Sequence, residues 1–176
     1  MPVVVAVLLS GCSVVVVRGS PSPSYSLPPR PRDVMVDAVD PCAVLTTEHR
    51  ARLQVAQSDH GASDGRRLCY WLHSPDEPRE SYIVEIITKY GAEDLLQNPL
   101  GAEIIRISGF PAVETQTLYA SRELSCQIFL DVAARQTVQV SYSYNGSLPM
   151  TRKQACEKDR LAAELVMHTL LARTGG

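Results

Sequence analysis

Between residues 124 and 144 the chain alternates apolar and polar positions almost without a break. Leu124, Cys126, Ile128, Leu130 and Val132 alternate with Ser125, Gln127, Phe129 and Asp131, and Val138, Val140, Tyr142 and Tyr144 alternate with Thr137, Gln139, Ser141 and Ser143. A period of two predicts two half-buried strands, the first turning Cys126 inward with the aliphatics. Asn145-Gly146 ends the second as a turn. Thr151-x-x-Gln154 then reads as a capping box. The helix behind it runs to about Arg173, with Ala155, Ala162, Val166 and Leu170 along one stripe and Leu161, Leu165 and Leu171 widening it.

Upstream the signals are shorter. Residues 81–90 are β-branched, bounded by Pro78 and Gly91, and predict a strong strand. Leu68–Leu72, Ile104–Ile107 and Leu118–Ser121 predict weaker ones. Residues 43–53 carry a short helical pattern with capping residues around Thr46, and Glu93–Leu100 one or two helical turns stopped by Pro99. Ser58–Arg66 reads as a polar loop and Gly109-Phe110-Pro111 as a turn. Hairpin-type connections among the strands predict an α+β fold: an antiparallel sheet with the N- and C-terminal helices packed on one face.

This domain is expected over residues 36–176. Residues 18–35 ahead of it are Ser- and Pro-rich, and proline fixes φ and removes donors, so they predict an extended stalk. Residues 1–17 contain no charged side chain. Within them Leu9-Ser10-Gly11-Cys12 is similar to the bacterial lipobox, which predicts a lipoprotein-type signal with Cys12 as the acylated residue and an extracytoplasmic domain held at the cell membrane. The alternatives are a cleaved signal without acylation and an uncleaved apolar anchor.

Composition narrows the function classes. The 176 residues carry 17 Lys+Arg against 19 Asp+Glu, a net charge of −2, without a basic block, which argues against nucleic acid as a partner. With Cys12 set aside, Cys42, Cys69, Cys126 and Cys156 remain, an even number that in an exported chain predicts two disulfides with three possible connectivities. Cys69 and Cys126 both lie in predicted strands, and Cys42 and Cys156 open the first and last helices, so position favours Cys69–Cys126 and Cys42–Cys156. A metal site through Cys69-x-x-x-His73 has no second ligand pair, and no metal or cofactor is expected.

The order of these motifs resembles a family. A lipobox, a Ser/Pro stalk, Asp40-Pro41-Cys42 before a helix, Cys69-x-Trp71 in a strand, Cys126 in mid-strand and Cys156 opening an apolar last helix are similar to actinobacterial cell-envelope lipoproteins of the mycobacterial LprB/LprC type, a family of unknown function. The resemblance implies a lipid-anchored envelope domain with structural disulfides, and it implies no reaction.

The chain has no Gly-x-Ser-x-Gly, Ser-x-x-Lys or His-Glu-x-x-His motif and no phosphate-binding loop, and His49, His60, His73 and His168 are scattered. No catalytic residue is assigned; the expectation is a binding protein rather than an enzyme. Tyr82, Tyr142 and Tyr144, with Tyr90, are the candidates for lining a pocket for an envelope lipid or small ligand. The alternative is a scaffold that docks an envelope protein through the Ser/Thr/Gln face of residues 137–144.

Overall fold

A computed structural model describes residues 26–63, 66–73, 80–97, 101–118 and 124–174. The alternating segments assemble into one seven-stranded antiparallel sheet. Its strands are β1 (Val55–Ser63), β2 (Arg66–His73), β3 (Glu80–Ile87), β4 (Ala102–Ile107), β5 (Phe110–Leu118), β6 (Leu124–Ala133) and β7 (Gln136–Tyr144), in the spatial order β1-β2-β3-β7-β6-β5-β4. Two helices join them, α1 (Thr47–Leu53) and α2 (Arg152–Thr174), with 3-10 turns at Pro41–Ala43 and Ala92–Gln97. The fold is α+β.

The order follows from two meanders. β1-β2-β3 fold back on one another locally, as do β4-β5-β6-β7, and β7 then pairs with β3 from Glu80↔Tyr144 to Ile87↔Thr137. The connection from β3 to the far-edge strand β4 must therefore cross the sheet. It carries the Ala92–Gln97 turn, whose Ala92 and Leu96 pack with Ile87, Val113 and Phe129 as a second small core. The larger core lies on the opposite face, where Val84, Ile128, Leu130, Val138 and Val140 are closed over by Ala162, Val166, Met167 and Leu170 of α2.

Both helix starts follow sequence chemistry. Thr46 caps α1 by accepting from the His49 N–H. The Thr151/Gln154 box closes reciprocally: the Gln154 N–H donates to Thr151 Oγ1 at 3.2 Å and the Thr151 N–H donates to Gln154 Oε1 at 2.9 Å. No described helix is long and apolar enough to cross a membrane.

Three expectations are corrected. Of the loop expected at residues 58–66, residues 58–63 belong to a strand instead: Val55–Ser63 forms edge strand β1, paired with β2 from Val55↔His73 to Ser63↔Arg66. An edge strand meets little core, so its backbone ladder can hold a polar sequence that carries no apolar alternation. The turn expected at residues 109–111 lies one residue earlier. Ser108 and Gly109 have φ of 49° and 84°, giving a two-residue hairpin, and Phe110 already pairs with Ile107. Pro111 is tolerated because the β5–β6 ladder starts only at Ala112. Leu118 closes that long strand β5 rather than opening a short one, and residues 119–121 lie outside the described part.

The stalk also ends earlier than residue 35. Val34 and Val36 are 1% and 0% exposed, the Val34 N–H donates to the Val132 carbonyl at 2.7 Å, and the Val36 N–H donates to Gln136 Oε1 at 2.7 Å. Arg67 donates to the Val36 and Val39 carbonyls. Proline in residues 28–31 rules out a sheet ladder there, but not a run along the domain's surface. Arg30 is pinned by its guanidinium, whose Nη1 reaches both Asp131 oxygens at 2.8 Å.

Candidate functional site

The three candidate tyrosines project from β3 and β7 onto the face covered by α2. Tyr82 and Tyr142 are directly opposite in register, with ring centroids 5.1 Å apart. Tyr82, Tyr142 and Tyr144 are 2%, 0% and 4% exposed. Their polar ends are also used: the Tyr142 hydroxyl donates to Met150 Sδ at 3.4 Å and the Tyr144 hydroxyl to the Leu148 carbonyl at 2.8 Å. Burial first, then the nearby Glu80 carboxylate, pushes Tyr82 and Tyr142 far above the usual phenol range. All three pack in the core, with the hydroxyls of Tyr142 and Tyr144 tied, which corrects their assignment to a ligand pocket. Tyr90 sits apart from them, past the end of β3, where its carbonyl accepts from Thr137 Oγ1.

The outer face of β7 is less open than its polarity suggested. Thr137 and Ser141 are 0% and 4% exposed, and Gln139 donates to Ser141 Oγ. β7 is the central strand, so neighbours on both sides shield its short side chains.

Beneath α2 lies a charged layer that no sequence motif marks. Successive residues on a helix point about 100° apart, and Lys158, Asp159 and Arg160 use this. Lys158 reaches Glu80 of β3 at 2.7 Å, and Arg160 grips Glu114 of β5 through Nε and Nη2 at 2.6 and 2.9 Å. Asp159, between them, points at the sheet, is 0% exposed, and neither of its oxygens has a hydrogen-bond partner. Burial first, then the Glu114 charge, pushes its carboxyl well above the usual carboxylate range, which favours the neutral acid. The signal was in the sequence: Asp159 lies three and four residues from Cys156, Ala155, Ala162 and Ala163, inside the apolar stripe.

All four cysteines of the domain are paired, but with the other connectivity. Cys42–Cys69 and Cys126–Cys156 are bonded, with Cα separations of 5.0 and 5.1 Å. The expected Cys69–Cys126 bridge is excluded by strand order. β3 and β7 stand between β2 and β6, which sets the two cysteines about 14 Å apart, well beyond disulfide reach. Cys12 lies outside the described residues. Asp40, Cys42 and His60 cluster within 4.8 Å, as do Glu114, Cys126 and Cys156, but a sulfur in a disulfide offers no thiolate to a metal.

The histidines separate into two roles. His49 is buried, lies 3.3 Å through Nδ1 from Thr169 Oγ1 and meets the His168 ring edge-on, fixing α1 to α2. Burial, then the His168 charge, pushes it below the usual imidazole range. His60 is exposed on β1, with Nδ1 3.3 Å from Cys42 Sγ.

Two clefts open on the described surface. One, of about 590 Å³, is bounded by Ser26–Arg30 and Asp33 of the incoming chain, by Glu93 of the 3-10 turn and by Asp131 of β6. Its lining combines apolar Leu27, Pro28 and Pro29 with three carboxylates and the Arg30 guanidinium, which bonds to Asp33 and Asp131. Burial raises Asp131, and the Arg30 guanidinium opposes that shift. The second, of about 390 Å³, runs from Ala38–Pro41 to His60, Gly61, Arg67 and Leu68. Neither is lined by the tyrosines.

Residues 7–169 match the domain family described as a protein of unknown function, DUF3558, and the chain belongs to that family. No curated protein and no solved structure matches it.

The buried acid generates a pH dependence. Unfolded, Asp159 ionises at about pH 4; folded, it keeps its proton to higher pH. Between those values the unfolded chain binds fewer protons, so this group lowers stability as pH rises. Asp159→Asn removes the effect. Urea unfolding at about pH 4 and pH 7 should show the variant gaining on the parent at the higher pH; no gain would mean the carboxylate is ionised in place.

Proposed function

We propose that this member of the DUF3558 family is a lipid-anchored domain on the extracytoplasmic face of the cell membrane, acylated at Cys12, that works by binding a small amphipathic ligand rather than by catalysis. The charge-free N-terminal segment with its Leu9-Ser10-Gly11-Cys12 motif supports the anchor. The pairing of every cysteine in the domain supports an oxidising compartment. The resemblance to actinobacterial envelope lipoproteins supports the same address.

The observation that carries the binding role is the 590 Å³ cleft, because the tether itself supplies part of its lining. Its volume is that of a small-molecule site. Apolar Leu27, Pro28 and Pro29 share it with Asp33, Glu93 and Asp131, with Arg30 as the one cation, so the lining carries an excess of two negative charges. That chemistry suits an envelope lipid or similar molecule with an apolar body and an amine-bearing polar end. Placed where the tether meets the domain, the cleft is also close to the source of such a ligand.

Two measurements test the two halves. Cys12→Ser should release the protein from the membrane fraction; full retention would make the apolar segment the anchor. Native mass spectrometry of the full chain from detergent micelles, after incubation with an extract of the producing cell's envelope lipids, should show one discrete bound mass that Glu93→Gln weakens. A clean apo mass would contradict the small-ligand role and point to an envelope protein as the partner.

A further inference from the structure

The two disulfides differ in their surroundings. Cys126 and Cys156 are 0% and 4% exposed, closed between β6 and α2. Cys69 is also fully buried, but its partner Cys42 is only half-buried, on a 3-10 turn at the rim. Beside Cys42 are a titratable group and an open space. His60 Nδ1 lies 3.3 Å from Cys42 Sγ, and His60 is the cross-strand partner of Cys69 in the β1–β2 register. The 390 Å³ cleft is lined by His60 and by Asp40 and Pro41, which precede Cys42 in the chain. The Cys42 backbone is held there by its N–H donating to Asp40 Oδ1 at 2.9 Å.

We infer that Cys42–Cys69 is a thiol–disulfide exchange site, with Cys42 as the sulfur attacked, His60 as the proton carrier and the adjoining cleft as the seat of a small thiol. This goes beyond the binding role proposed above and does not depend on it, since it uses a different cleft.

The chemistry closes on the groups present. His60 takes the proton of an incoming thiol RSH, and the thiolate attacks Cys42 Sγ, the sulfur of the half-buried cysteine, rather than that of fully buried Cys69. An RS–Sγ bond forms and the Cys42–Cys69 bond breaks. The electron pair leaves on Cys69 Sγ, and because a bare thiolate is costly where Cys69 lies buried, it takes the proton from His60. A second RSH, deprotonated the same way, attacks the RS sulfur of the mixed disulfide. RSSR departs and Cys42 receives the second proton. Two thiols are oxidised to one disulfide while the protein's disulfide is reduced to two thiols, and RSSR restores the bond by the reverse steps. Cys126–Cys156 has neither an exposed sulfur nor a histidine beside it among the described contacts, and it stays closed.

Reduced glutathione is the probe. The folded full chain is incubated with it, quenched with an alkylating agent and peptide-mapped. The expected product carries glutathione on Cys42 and the alkyl group on Cys69, with Cys126–Cys156 intact. His60→Gln, at an exposed edge position, should keep the urea midpoint but slow the exchange on the order of tenfold or more. It should also flatten the pH profile once the rate is corrected for the glutathione thiolate fraction. Equal reactivity of both disulfides, or no reaction until denaturant is added, would overturn the site. An unchanged rate and pH profile in His60→Gln would overturn the role of His60.

Discussion

The pairing of β3 with β7 is the contact on which the rest of the molecule depends. Every other strand pair joins neighbours in sequence, whereas this one brings the last strand back to the third across four intervening elements. Its loop-closure entropy must be offset by what it buries. Tyr82, Val84 and Ile86 meet Tyr142, Val140 and Val138 in register, all between 0% and 4% exposed. Without that seam the chain is a three-stranded and a four-stranded meander, each with an open apolar face.

α2 braces the seam from the four-stranded side, packing over β6 and β7 and reaching β3 through Lys158. Lys158 ties the helix to Glu80 on the three-stranded side, while Arg160–Glu114 and Cys156–Cys126 tie it to the four-stranded side. The ion pairs sit at the rim of the covered face, where the basic side chains remain partly solvated and their carboxylate partners are buried. Asp159 departs from this logic, as a carboxyl placed in the apolar stripe with neither oxygen bonded. The N-terminal chain joins the same assembly through the β6–β7 hairpin, with Val34 on Val132, Val36 on Gln136 and Arg30 on Asp131. The incoming chain is thus continuous with the β6–β7 hairpin, and the cleft it helps form includes Asp131 of β6.

What the sequence made legible was local. β6, β7 and the capping box of α2 appear where their patterns place them, because a two-residue alternation and a reciprocal cap are properties of contiguous residues. The disulfide partners were not legible: they depend on β7 inserting between β3 and β6, which no spacing encodes. β1 was hidden because an edge strand of sequence VAQSDHGAS is held by its backbone. The tyrosines misled for a related reason. Aromatic residues in alternation signal a covered sheet face as readily as a pocket wall, and α2 decides between them. Val34 and Val36, with exposed Met35 and Asp37 between and after them, carried a legible extended pattern that the neighbouring prolines obscured. The histidine beside Cys42 could be found only through the β1–β2 register.

Native-state hydrogen exchange tests the central claim most directly. If the β3–β7 seam holds the two meanders together, the amides of β3 and β7 should be the slowest in the molecule. They should exchange together, with the free energy of global unfolding, while the amides of edge strand β1 exchange faster through local opening. Amides of β7 that exchange as fast as those of β1, or separately from β3, would contradict the account.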